Sequence, residues 1–181
     1  MKTTSSLEAI KALREKTGAS LNDVRQALEQ AGGDEAKALD YLRQRGAQIA
    51  ETRGGRVTGQ GRVGSYLHHD GRLGALVEVH CETDFVARTP DFIQFCGDVA
   101  MQVAAMRPVY LSKDQVAADA GLAPEQLAAT CLLDQPFVKD GKTTIGQLLQ
   151  LLVAKTGEKV IVWRFTRFAI GEAPSTVTAS A

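Results

Sequence analysis

The stretch Leu73-Gly74-Ala75-Leu76-Val77-Glu78-Val79-His80-Cys81, continued by Glu82-Thr83-Asp84-Phe85-Val86-Ala87-Arg88-Thr89-Pro90, decides the fold. In its first half, Leu73, Ala75, Val77, Val79 and Cys81 alternate with Gly74, Leu76, Glu78 and His80. A period of two with one apolar set is the mark of a strand that rests one face on a core. Its second half ends in Thr89-Pro90, a cap residue followed by the residue best tolerated in a helix's first turn. Beyond it Phe92, Cys96, Val99 and Val103 recur at helical spacing, joined by Phe95 and Met106, until Arg107-Pro108 stops the run. The stretch is thus a strand, a short junction and an apolar helix.

Upstream, Asp70-Gly71 is a tight-turn signal, so a partner strand is expected near Arg62 to Leu67. A two-residue turn sets Tyr66 on the apolar face, and a three-residue loop sets Leu67 there. Before that strand, Gly54-Gly55-Arg56-Val57-Thr58-Gly59-Gln60-Gly61-Arg62 reads as a linker. Before the linker lie three short helical patterns. Leu7, Ile10 and Leu13 mark the first. Val24, Ala27, Leu28 and Ala31, after the cap Ser20, mark the second. Ala38, Leu39, Leu42 and Ile49, after Asp34, mark the third. Helices this short must bury their stripes against one another to persist.

Downstream, Val109 to Leu111 reads as a short strand, residues 112–134 as connecting helix and loop with Pro124 opening a helical piece, and Ile145 to Lys155 as a helix ended by Gly157. Lys159 to Ile170 reads as a strand with Ile161, Trp163 and Phe165 on one face and a break near Arg167-Phe168. Segregated helices and strands give an α+β fold, an antiparallel β-sheet covered by helices on one face. The expected division is a three-helix domain over 1–52, a linker over 53–62, an α+β core over 63–171 and a disordered tail over 172–181.

Composition narrows the function classes. The 181 residues hold 21 Lys+Arg and 21 Asp+Glu, a formal net charge of +0, which argues against wrapping nucleic acid. Apolar residues make up 44%, an ordinary globular share, and no run approaches the roughly 20 apolar residues that span a bilayer. The polar start reads as no signal peptide, and the widely spaced Cys81, Cys96 and Cys131 fit a reducing cytoplasm. These cysteines sit on apolar faces or at no metal-ligand spacing, and His68, His69 and His80 pair with no ligand pattern, so neither metal nor cofactor is expected. Gly59-Gln60-Gly61-Arg62-Val63-Gly64 matches a dinucleotide fingerprint in letters only, because it precedes a strand instead of following one. Nothing supports an enzyme. A small thiol enzyme built on Cys81 beside His80 and a helical adaptor or nascent-chain binding protein remain as competing classes.

Phe85-Val86 is the anomaly, an apolar pair flanked by Asp84 and Arg88 at a strand-to-helix junction. Phe85 either folds back as a staple on the sheet or stands out as an aromatic anchor for a partner.

Cys81 to Arg88 with Phe92 resembles the signature loop of the elongation factor Ts family. Leu13-Arg14-Glu15-Lys16-Thr17-Gly18-Ala19, Asp23, Ala27-Leu28, Gly33-Asp34, Ala38, Leu42-Arg43 and Gly46-Ala47 are similar to that family's ubiquitin-associated-type (UBA-like) helical domain. Gln135-Pro136-Phe137-Val138-Lys139-Asp140 and Lys155 with Gly157-Glu158 also match, in the family's order. Ser20-Leu21-Asn22 departs from the family's usual Gly-Met-Met, as does the run around Thr156 to Lys159. Residues 107–134 are too short for a second core half. The resemblance implies a guanine nucleotide exchange factor of the short form that binds GDP-loaded elongation factor Tu. It implies contacts from Thr83, Asp84, Phe85 and Val86 that displace Mg²⁺, and from Arg14 and Leu21 in the helical domain. It further implies a homodimer through the sheet, with Trp163 and Phe165 at the seam.

Overall fold

The computed structural model describes residues 7–116, 121, 123–173 and 175–179. The main elements in chain order are α1 (Leu7–Thr17), α2 (Leu21–Gln30), α3 (Glu35–Thr52), β1 (Gln60–Leu67), β2 (Leu73–Cys81), α4 (Asp84–Ala87), α5 (Pro90–Met106), α6 (Pro124–Thr130), α7 (Ile145–Thr156), β3 (Val160–Ala169) and β4 (Ser175–Thr178). The fold is α+β, with an antiparallel sheet in the order β1-β2-β3-β4. The chain divides into two compact units, Met1–Arg56 with Gln150–Lys159 and Val57–Leu149 with Val160–Ala181.

In the first unit, Ser20 caps α2 by accepting the Asp23 N–H, and Asp34 caps α3 by accepting the Lys37 N–H. Each satisfies a backbone donor that the helix cannot. Leu13, Ala19, Val24, Ala27, Leu28, Ala38 and Leu42 form the core, with Ile10, Ala31, Tyr41 and Leu151 packed at its edge. Leu151 was not foreseeable from the helical patterns before residue 52, because the C-terminal part of α7 joins from a hundred residues away in sequence. Gly46 permits that contact, since a Cβ there would overlap the Gln150 carbonyl oxygen. Leu7, expected on the buried stripe, is 85% exposed.

In the second unit, β2 buries Ala75, Val77, Val79 and Cys81 against α5, which in turn buries Phe92, Phe95, Cys96, Val99, Ala100 and Val103. Met106, at the last turn, is exposed. Tyr66 pairs with Ala75 and Leu67 with Gly74, so Tyr66 takes the core side and Leu67 the outer side. The strand begins at Gln60, inside the expected linker. Gly64 lies where α5 crosses β1, and a Cβ there would collide with the Cys96 backbone.

β3 corrects the sequence reading. The register shifts between Glu78 and Val79, which face Arg164 and Val162, leaving Trp163 as the extra residue of a bulge. The alternation therefore changes at Trp163 and not at Arg167-Phe168. Val160 and Val162 face the core before the bulge and Phe165 faces it after, while Ile161 and Trp163 stay half-buried. β4 replaces the expected disordered tail over Ser175–Thr178, pairing Thr176 with Thr166 and Val177 with Phe165. Thr176, Val177 and Thr178 are β-branched, which suits an edge strand. The expected strand at Val109–Leu111 reduces to a single bridge between Tyr110 and Cys131. Pro124 does open α6, while residues 117–120 and 122 of that connection lie outside the described residues.

Two glutamines are fully buried in this unit. Gln102 Nε2 donates to Gln135 Oε1 and to the Pro136 carbonyl, both at 3.1 Å, and its Oε1 accepts the Val138 N–H at 2.9 Å. Gln135 Nε2 donates to the Ala129 carbonyl at 2.6 Å. A buried amide is tolerated only when its donors and acceptors are met, and here they pin residues 129–138 to α5.

Candidate functional site

The junction after β2 is a single helical turn fastened at both ends. Thr83 is its N-cap, and its hydroxyl accepts the Val86 N–H at 3.3 Å. At the other end the N–H and hydroxyl of Thr89 donate to the Val86 carbonyl at 3.0 and 2.8 Å. The same hydroxyl accepts the Phe92 N–H at 3.4 Å and so caps α5. One turn carries only one inward face, and Val86 and Ala87 occupy it; Val86 is 4% exposed. Phe85, on the opposite face, is 76% exposed. Of the two readings of Phe85, the staple on the sheet is therefore excluded for the free chain. Asp84 and Arg88 form an ion pair at 3.0 Å along the outer side, too exposed to contribute much stability.

Thr83, Asp84 and Phe85 thus share one presented surface, and Val86 does not. Val86 points inward in the free chain, because its neighbour Phe85 takes the outward direction. In the first unit, Arg14 and Leu21 line one shallow groove of about 600 Å³ together with Leu7, Ile10, Lys11, Glu15 and Gly18. The exposure of Leu7 and of Leu21, 56%, belongs to this groove. The sequence pattern assigned Leu7 to the core because its spacing from Ile10 and Leu13 is helical, and spacing alone cannot show where a groove opens.

The outer face of the sheet is a third apolar surface. Val63, Leu76 and Phe168 lie exposed on it beside Glu78, Arg164, Thr166 and Thr176. Leu76 was the signal for it, an apolar residue among the polar set of β2. Phe165 is 1% exposed on the core side and cannot belong to an outer seam. On the outer side Glu78 is held by His80 Nε2 at 2.6 Å and by Arg164, and His80 stacks on Trp163 with ring centroids 5.3 Å apart. The hydrogen bond to His80, then that to Arg164, hold the Glu78 carboxyl below its ordinary range.

The cysteines are buried and in no disulfide, and burial pushes the Cys96 thiol up to about 12, far from a reactive thiolate. Among the described residues, no group of three or more His, Cys, Asp or Glu gathers to hold a metal ion, and no helix is long and apolar enough to cross a membrane.

The family model described as Elongation factor TS matches residues 4–129. The chain belongs to the elongation factor Ts family. It is 43% identical to elongation factor Ts of Solidesulfovibrio magneticus over 92% of this chain and 97% of that protein. It is 40% identical to elongation factor Ts of Moorella thermoacetica, over 90% of this chain and 94% of that one, and 40% identical to that of Thermotoga petrophila, over 92% and 96%. The short architecture is therefore shared with these elongation factor Ts proteins. Membership places the chain among the nucleotide exchange factors of translation elongation.

Proposed function

We propose that this chain binds elongation factor Tu in its GDP form and drives GDP out, with the α4 turn pressed against the nucleotide site and the groove of the helical unit gripping a second surface. The observation that carries the reading is Phe85, an aromatic ring held outward on a turn capped by Thr83 and Thr89. An exposed aromatic on a short capped turn is the kind of side chain that is enriched at the centre of interfaces. Asp84 beside it, brought toward the nucleotide site, repels the anionic diphosphate and the acidic surroundings of the ion in this reading.

The energetics require more than one contact. A factor that weakens GDP binding is weakened by GDP to the same degree, so each displaces the other. A gain of about 10⁴ in release rate corresponds to about 5.5 kcal/mol. Burying one phenylalanine ring supplies about 1.5–3 kcal/mol. Arg14 and Leu21 in the groove, with Leu7 and Ile10, supply the remainder in this reading by holding the partner while α4 acts, through the raised effective concentration of a linked contact.

The sheet's outer face offers a homodimer seam. The aromatic at that seam is Phe168, with Val63 and Leu76, in place of the expected Phe165. A cytoplasmic location follows from the same role.

The test is release of fluorescently labelled GDP from purified elongation factor Tu with excess unlabelled GDP. Addition of this chain accelerates release by orders of magnitude in this reading. Release at the unassisted rate over a range of chain concentrations overturns it.

A further inference from the structure

Every core-facing position of β2 up to its end is filled by a residue without a polar side chain, Ala75, Val77 and Val79, and then by Cys81. Cys81 Sγ lies 3.1 Å from the carbonyl oxygen of Thr83, two residues on. A thiol donates weakly, and this is a close approach for sulfur. The same carbonyl accepts the Ala87 N–H at 3.3 Å, and the Thr83 hydroxyl accepts the Val86 N–H at 3.3 Å. Both bonds are longer than the 3.0 and 2.8 Å ties from Thr89 at the other end, so the turn that carries Phe85 is held less tightly at its start than at its finish. The strand ladder ends at Cys81, which pairs with Gln60 and Val160, so the register no longer fixes residues beyond it.

We propose that Cys81 is a positioning residue for nucleotide exchange, its buried S–H fixing the Thr83 carbonyl and thereby the direction in which Phe85 is presented. Valine would continue the β2 pattern and fill the core as well, but it has no donor. Cysteine satisfies the apolar face and the carbonyl together. The inference rests on the exchange reading for its consequence, while the hydrogen bond itself is testable in the free chain.

The experiment compares Cys81→Ala, Cys81→Val and Cys81→Ser with the unaltered chain. Amide hydrogen exchange at Val86 and Ala87 is followed by NMR without any partner, alongside GDP release from elongation factor Tu at saturating chain. An S–H···O bond is worth roughly a two- to fivefold change in an equilibrium. Exchange at Val86 and Ala87 is expected to quicken by roughly that factor in Cys81→Ala and Cys81→Val. The maximal release rate is expected to fall by a similar factor, while the concentration for half-maximal effect stays put. Cys81→Ser, which keeps a donor, is expected to restore both readouts. Unchanged amide exchange in Cys81→Val overturns the proposal, whatever the release assay shows. Equal losses in Cys81→Ser and Cys81→Val also overturn it, since they would mark a packing role. Quickened amides with no stimulated release by any chain would leave the hydrogen bond intact and defeat the exchange reading instead.

Discussion

Two phenylalanines stand exposed in the second unit, and they are exposed in different ways. Phe85, at 76%, projects from a turn whose neighbours Val86 and Ala87 are buried and whose ends are tied by threonine hydroxyls. Phe168, at 58%, lies on a broad sheet face with Val63 and Leu76 around it. The first is a point, the second an area. A point fixed by caps suits a contact that must enter and leave a partner's site in each cycle. An area of apolar side chains suits a lasting association, because its stabilisation scales with surface removed from water. In the proposed reading one core carries both properties, with the strand end supplying the point and the sheet's outer face the area.

The largest expected effect separates them. Phe85→Ala should lower the maximal rate of stimulated GDP release by about tenfold or more, the factor equivalent to about 1.5–3 kcal/mol of lost burial in the complex. Its melting temperature should stay near that of the unaltered chain, because the ring is exposed when free. Proportional losses of rate and melting temperature would erase the contrast. Next, Leu76→Glu with Phe168→Glu should shift sedimentation at micromolar concentration toward a monomer and leave the fold intact. A chain already monomeric and fully active at that concentration would remove the area's role.

A smaller effect concerns the caps. Thr89→Ala removes the acceptor for the Phe92 N–H and a donor to the Val86 carbonyl. Loss of about 1 kcal/mol is expected from urea unfolding, with a release defect beyond that predicted by stability. The smallest effect belongs to the sheet face. Glu78 is held below the ordinary carboxylate range by its hydrogen bonds to His80 and Arg164. A depressed folded value means the stabilisation is complete above the unfolded value and is lost as pH falls through the folded one. Glu78→Gln should therefore lower the neutral plateau by under about 1 kcal/mol and so flatten the acid limb of stability against pH, leaving stability at low pH unchanged.

The frame of the second unit was legible because its signals are local. Asp70-Gly71 marks the hairpin, the alternation from Leu73 to Cys81 marks β2, and Thr89-Pro90 marks the start of α5. What escaped depends on pairing between distant segments. The bulge at Trp163 arises from how β3 meets β2, so a single strand's alternation misplaced it and put Ile161 and Trp163 on the buried side. β4 is a strand only because β3 offers it an edge. Leu151 joins the helical core from α7, which the pattern before residue 52 cannot reveal. At the site, Phe85 was singled out by its mismatch with the charges around it, but two readings stayed open. The structure turns Val86 inward and leaves Phe85 exposed in the free chain, an orientation set by the turn's caps. The outer face was visible only through Leu76, a lone apolar residue on a polar register. Phe168 was obscured by the displaced bulge.

The central claim is that Phe85 binds the emptied partner better than the loaded one. The most direct measurement is the ratio of affinities for nucleotide-free and GDP-bound elongation factor Tu, taken by titration calorimetry for the unaltered chain and for Phe85→Ala. The account predicts that the ratio shrinks by about tenfold or more in Phe85→Ala, chiefly through weaker binding to the nucleotide-free form. Equal ratios in the two chains, or an equal loss of affinity for both forms, would contradict it.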